Sequence, residues 1–407
     1  MTSEWNHFAL GEITELVIDY RGKTPKKLGG DWCKQGYRAL SAKNIKTGRI
    51  VQAETIRYID ESLYRKWMKD EVQRGDILIT SEAPFGQIFF WDSDEKIVLS
   101  QRLFCVRIKP EYDARFIYYY MTTPEFQSEL DGRATGTTVI GLRQPELMKC
   151  IIRCPEIQEQ KVIAAILSSI DAKIIANEKV NDNLEQQLRT IFKAEFTDNP
   201  ELENITQIPL SELCHVVTKG TTPTTLGKPF VESGINFIKA ESILDDHSID
   251  KSKFAFIDEE TNALLKRSII HAGDVVFTIA GTLGRFALID ENVLPANTNQ
   301  AVAIIRADVE KVLPEYIYTC FIGEWHTDYY AKRVQQAVQA NLSLTTIKSL
   351  PIPLLDEAKM SEYLSLILPL IKAIKTNEAQ NEKLAALRDN LLPKLMSGEI
   401  DVSAVQL

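Results

Sequence analysis

From Ile157 to Asn199 the chain has neither Gly nor Pro, and its seam runs Ile163, Leu167, Ile170, Ile174, Asn177, Asn181, Leu184, Leu188, Ile191. That alternating four-and-three spacing predicts one helix of about 40 residues, roughly 60 Å long at ~1.5 Å per residue. Such a helix needs a partner for its seam. The pattern returns as Ile367, Leu370, Ile374, Asn377, Asn381, Leu384, Leu387 and Leu391. With a globular region between them, the two helices are expected to pair antiparallel and to set a domain at each end of a rod. Asn177 and Asn181 recur as Asn377 and Asn381 in mid-seam. Buried Asn weakens a coiled coil but penalises slipped registers, so these four residues are read as register markers. Pro369 interrupts the second pattern, and an interior proline costs about 3 kcal/mol. The second helix is therefore expected to begin in earnest only after it.

Outside the helices the pattern changes. GDILIT, QIFFWD and LFCVRI are short, β-branched or aromatic, and bounded by Gly, Asp or Pro, as strands are. ARFIYYYMTTPEFQSEL reads as one broken helix or two short ones. GDVVFT, RFALID, AVAIIR and PEYIYTCFIGEWHTDYYAKRV repeat the series later in the chain.

The chain is a tandem duplication. A shift of 198 residues lays RGKTP at 21–25 on KGTTP at 219–223 and RGDILITSEAPFG at 74–86 on AGDVVFTIAGTLG at 272–284. With small drifts, Gln101 matches Gln300 and Arg107 matches Arg306. The expected fold class is α+β: two pseudo-repeated mixed α/β domains at 1–155 and 200–354, with helical regions at 156–199 and 355–407. One fold carrying two sets of surface residues suggests one task performed on two unlike targets.

Composition bounds the task. Of 407 residues 44% are hydrophobic and 25% charged, a globular profile long enough for two or three domains. No apolar run approaches the ~20 residues of a membrane span, and the opening MTSEWNHFALGE lacks signal-peptide character, so a cytoplasmic protein is expected. Six scattered cysteines show no zinc spacing and are expected to be reduced and mostly buried. The net charge of −9 at first argues against nucleic acid.

Catalytic signatures fail in turn. There is no Pro-Pro pair and no GxGxxG, so an amino-methyltransferase is excluded. GKT at 22–24 has Val17 where a phosphate loop needs its first Gly, and GTTPTTLGK at 220–228 spaces its glycines wrongly. The five histidines form no ligand set. No catalytic and no metal site is expected.

Two near-repeated domains on a helical rod without catalytic residues resemble the specificity subunit of type I restriction-modification enzymes. PEIQEQKVIAAILSSID at 155–171 is similar to that family's lead-in to its central helix, and LRDNLLPKLMSGEIDV at 387–402 to its closing helix. The second helix opens with PLLDEAKMSEYL and lacks the Glu-Gln pair. The resemblance implies a non-catalytic subunit whose two target recognition domains each read one half of a bipartite, asymmetric site in double-stranded DNA, with the helices setting the gap. It also implies two methyltransferase subunits carrying S-adenosylmethionine and motor-nuclease subunits using ATP and Mg, with no cofactor on this chain. A protein-interaction scaffold is the other reading.

Charge by segment favours DNA. Residues 21–49 hold Arg21, Lys23, Lys26, Lys27, Lys34, Arg38, Lys43, Lys46 and Arg49 against Asp31 alone, a local +8. Such a patch neutralises phosphates. Its duplicate at 219–249 is −1, so the second domain is expected to lean on partner subunits. Thr24-Pro25 and Thr222-Pro223 read as turn architecture. Polar residues on short loops are the candidates for DNA contact. With Arg21, Lys23, Lys26 and Lys27 of the patch, these are Arg38, Lys43, Asn44, Gln101, Arg102 and Arg133 in the first domain. In the second they are Lys239, Glu241, Arg285, Asn299, Gln300 and Arg333.

Overall fold

The computed structural model describes residues 5–136, 140–199, 205–327, 329–330, 341–402 and 405. Each half builds an antiparallel four-stranded sheet with one topology. In the first its spatial order is Thr14–Asp19, Leu103–Ile108, Ile77–Thr80, Ile88–Phe90. In the second it is Cys214–Lys219, Val302–Ala307, Val275–Thr278, Phe286–Leu288. The pairing of the first two strands carries a bulge at the same place in both. A smaller sheet stands beside each, built around a parallel pair: Tyr37–Leu40 with Val98–Leu99, and Ile235–Ile238 with Ala296–Thr298. Two-stranded ladders, Asn6–Ala9 with Ile151–Cys154 and Gln207–Pro209 with Pro351–Pro353, tie the start of each domain to its end.

Several residues shared by the two copies prove to be architecture. Asp76 and Asp274 are 1% and 0% exposed, and each carboxylate takes two bonds from an arginine of the neighbouring strand. Arg107 bonds Asp76 at 2.8 and 2.9 Å, and Arg306 bonds Asp274 at 2.7 Å twice. The same carboxylates accept the backbone N–H of Gln73 and of His271 at 2.8 Å, closing the turn before each strand. At the far end the hydroxyls of Thr80 and Thr278 accept the N–H of Gln87 and Arg285 at 2.8 Å. Gly86 and Gly284 hold φ of 71° and 89° there, a conformation that a β-carbon disfavours.

Both long helices form, over Ile157–Phe196 and Glu357–Met396. The chain divides into two compact units, residues 1–172 with 384–407, and 173–383. In the first, Ile163 and Leu167 of one helix and Leu395 and Met396 of the other enter the core with Ile77, Phe104 and Val106. In the second, Leu188, Phe192 and Phe196 meet Tyr363, Ile367, Ile371 and Ile374 around Phe277 and Ile305. The Phe192 ring lies so close to Gly323 that a β-carbon there would fall 2.1 Å from it.

Several expectations change. The second helix does not wait for Pro369 but runs through it from Glu357. Tyr363, Ile367 and Ile371, all under 5% exposed on either side of the proline, hold that turn by burial against the domain core. Leu387, assigned to the seam, is 48% exposed. ARFIYYYMTTPEFQSEL resolves into two helices, Ala114–Met121 and Pro124–Arg133, because Thr123 caps the second and Pro124 opens it. Gln160 of the Glu-Gln pair is buried, donating to the Pro155 carbonyl and accepting from the Asp113 N–H at 2.8 and 2.9 Å. At the divergent second junction the Tyr316 hydroxyl donates instead to the Pro353 carbonyl at 2.6 Å. Cys105, Cys150, Cys154 and Cys320 are buried free thiols, Cys214 is half-buried, and Cys33 is exposed. No helix among the described residues is long and apolar enough to cross a membrane.

Candidate nucleic-acid interface

Loops converge at one end of the four-stranded sheet in each domain. In the first, the Ser81 N–H donates to the Arg102 carbonyl at 2.9 Å and the Leu142 N–H to the Ser81 carbonyl at 3.0 Å. Arg21 Nη1 donates to the Leu142 carbonyl at 3.2 Å, and the Ala42 N–H to the Gln101 carbonyl at 3.1 Å. The loops after strands 14–19, 37–40 and 77–80, the turn at 100–102 and the segment ending at 142 thus share one surface. The second domain repeats the two central bonds of this frame and adds one of its own. Ile279 N–H donates to the Ala301 carbonyl at 2.8 Å, Leu342 N–H to the Ile279 carbonyl at 2.9 Å, and Thr221 N–H to the Thr298 carbonyl at 3.2 Å.

The candidate residues of the first domain divide into tied and open groups. Arg21 is clamped by Asp19 through two bonds of 2.8 Å and lies 4.0 Å from the Phe104 ring centroid, so it holds the loops together. The Lys23 ammonium sits 3.7 Å from the centroid of Tyr20 and donates to the Trp67 carbonyl; burial first, then the Lys69 charge, lowers its pKa. Arg38 is paired bidentately with Glu95. Arg133 is paired with Glu129 at 2.9 Å. Asn44 is 1% exposed. Its amide is spent on Ser41, Gln52 and Thr55, which makes it part of the turn and not of an exposed surface. Lys26, Lys27, Lys43, Gln101 and Arg102 are exposed, though Lys27 donates to the Gly22 carbonyl at 2.8 Å and Arg102 pairs with Glu82 at 3.1 Å. The +8 of the sequence is thus reduced, since Asp19 and Glu95 lie outside the counted window; Lys26, Lys27, Lys34, Lys43, Lys46 and Arg49 are its exposed cations.

The second domain is more self-contained. Lys239 pairs with Glu241 at 3.3 Å, and Arg285 with Asp245 through bonds of 2.6 and 2.7 Å. Asn299 accepts the Ala301 N–H at 3.1 Å, shaping its turn. Gln300 is exposed and accepts from the Thr222 hydroxyl. Arg333 lies outside the described residues. Thr24-Pro25 and Thr222-Pro223 each lead into a short 3-10 turn.

The four seam asparagines meet within the second unit. Asn177 donates to Asn381 and to Gln380, and Asn377 to Asn181, each at 2.8 Å. Sequence reasoning passed over Ser81 and Glu82, which lie where the loops converge. Their signal was divergence at matched positions: the second copy has Ile279 and Ala280 there. Among the described residues no group of His, Cys, Asp and Glu could hold a metal. The arrangement offers cations for a polyanion and loop-borne donors and acceptors.

Known proteins resemble this chain along most of its length. The chain is 25% identical to the type I restriction enzyme MjaIX specificity subunit of Methanocaldococcus jannaschii, over 81% of this chain and 78% of that one. It is 22% identical to the EcoBI specificity subunit of Escherichia coli, over 80% and 73%. The solved type I restriction-modification S subunit from M. genitalium shares the fold at a TM-score of 0.55 and 16% identity over 96% of each chain. The family described as the type I restriction modification DNA specificity domain matches residues 2–186 and again 203–386. Both halves of the duplication carry that domain, and the chain belongs to the type I restriction-modification specificity family.

Proposed function

We propose that this chain is the DNA-specificity subunit of a type I restriction-modification complex, with each domain reading one half of a bipartite, asymmetric site. The observation that carries the reading is the repeated loop frame: two copies keep the same two central backbone bonds, Ser81 to Arg102 and Leu142 to Ser81 matching Ile279 to Ala301 and Leu342 to Ile279, while the side chains on them differ. Shared frames with different side chains are what two unlike half-sites demand. The chain supplies specificity, and chemistry belongs to its partners: methyltransferase subunits with S-adenosylmethionine, and motor-nuclease subunits with ATP and Mg. It works where chromosomal DNA is, in the cytoplasm. The exposed cations of the first domain supply phosphate contacts, and the second domain relies more on partner subunits for them.

The test is to co-express the chain with its methyltransferase partner and sequence the methylated adenines. A single bipartite motif with two unlike halves is expected; absence of any bipartite motif overturns the reading. Exchanging residues 1–155 should change one half alone. Deleting one heptad from both helices, about 10 Å of rise, should shorten the spacer by roughly three base pairs and leave both halves intact.

A further inference from the structure

At the centre of the first loop frame Glu82 and Arg102 form an ion pair at 3.1 Å, with side chains 34% and 48% exposed. Arg102 holds φ at 63°, a left-handed backbone unusual for a residue with a β-carbon, and its own carbonyl receives the Ser81 N–H. The Ser81 hydroxyl beside them is buried and makes no hydrogen bond. The segment ending at Leu142 closes on the same point, since a β-carbon on Gly141 would lie 3.7 Å from Glu82 Oε2.

The duplicate makes this group informative. Its equivalents are Ile279, Ala280 and Ala301, on a backbone bonded in the same way. The frame therefore stands without any charge at these positions, and the acid and base of the first domain are not needed to build it. A carboxylate on a surface that meets phosphates is unfavourable unless it takes a donor from the DNA. In the major groove guanine presents two acceptors and cytosine an amine donor, while Arg offers only donors and ionised Glu only acceptors.

We propose that Glu82 and Arg102 read one guanine–cytosine pair in the half-site of the first domain, Arg102 on the guanine N7 and O6 and Glu82 on the cytosine amine. The inference rests on the functional reading above and names the chemistry by which one domain reads. In the free protein each side chain orients the other. On DNA the same carboxylate repels base edges that present acceptors in place of the amine, so it selects by exclusion as well as by attraction.

The experiment uses the complex of the full chain with its methyltransferase partner, acting on a library in which every position of the first half-site is varied. Wild type, Glu82→Gln, Arg102→Ala and Arg102→Lys are compared. At one G·C pair of that half-site discrimination should fall about tenfold or more in each variant, with the second half-site and the spacer unchanged. Glu82→Gln keeps the shape of the side chain, so its effect does not depend on refolding of the loop. Unchanged discrimination, or a loss spread evenly over all positions, overturns the proposal and assigns the pair to phosphate contact or to loop structure. A wild-type complex that methylates no bipartite site fails earlier and sinks the functional reading together with this one.

Discussion

The Nδ2 of Asn177 donates to the Oδ1 of Asn381 at 2.8 Å, and Asn377 makes the equivalent bond to Asn181 at the same distance. Asn177 is only 2% exposed, so its amide has little water to fall back on. Removing Asn381 takes one of the two acceptors from the Asn177 amide and leaves it the Gln380 side chain. Asn381→Leu alone should cost about 1–3 kcal/mol in urea unfolding. Adding Asn177→Leu should recover most of that loss, since two apolar groups need no partner. A double variant as weak as the single one would remove the seam asparagines from the account of register.

The buried carboxylates Asp76 and Asp274 make a second prediction. Arg306→Met leaves the Asp274 charge in the core without its guanidinium and should lower stability by about 3 kcal/mol. Arg107→Met should act alike on the first domain. Thermal unfolding of Arg306→Met, compared with Arg306→Met plus Asp274→Asn, checks the cause: the added neutralisation should restore part of the loss.

His326 should make the second domain acid-sensitive. It is 8% exposed and packed against Phe277, Phe286 and Phe321. Burial first, then the neighbouring His247 and Arg189, lowers its pKa to about 4. The unfolded chain, with a pKa near 6.5, takes up the proton first, so stability present at neutral pH is lost as pH falls from about 6.5 towards 4. Between about pH 7.5 and about pH 5, wild type should lose about 2 kcal/mol more than His326→Phe. Parallel pH profiles for the two proteins would contradict this.

The exposed cations of the first domain should act without regard to sequence. Alanine at Lys43, Lys46 or Arg49 should weaken binding to every duplex alike and lower the slope of log affinity against log salt by about one each. Arg21→Ala should behave differently: its guanidinium bonds Asp19 and the Leu142 carbonyl, so thermal stability should fall along with affinity. Binding titrations at several salt concentrations, beside melting curves, separate the two.

The helices and the duplication were legible because both are periodic. Heptad spacing announces a helix, and two copies of GDxxxT announce a shared turn. Pro369 misled because local propensity cannot weigh Ile367 and Ile371 buried against a distant core. The candidate surface was legible as charge and not as geometry. Arg21 and Arg38 look as free in sequence as Lys43, yet their partners Asp19 and Glu95 become visible only when the loops fold. Asn44 reads as a base-contacting amide until its three internal partners are seen. Glu82 carries no motif at all, and only its departure from Ala280 on a shared frame marks it.

Leu395, Met396 and Val402 sit in the same core as Leu10, Ile77 and Phe104. A ribosome makes these partners with the whole of residues 173–383 between them. The first domain to leave the exit tunnel therefore keeps an open seam until the last helix arrives, whereas residues 173–383 hold every part of their own unit in one continuous stretch. During synthesis the order of birth is not the order of completion: the second-made unit can close first, and a chain cut short near residue 384 leaves the elder one unfinished.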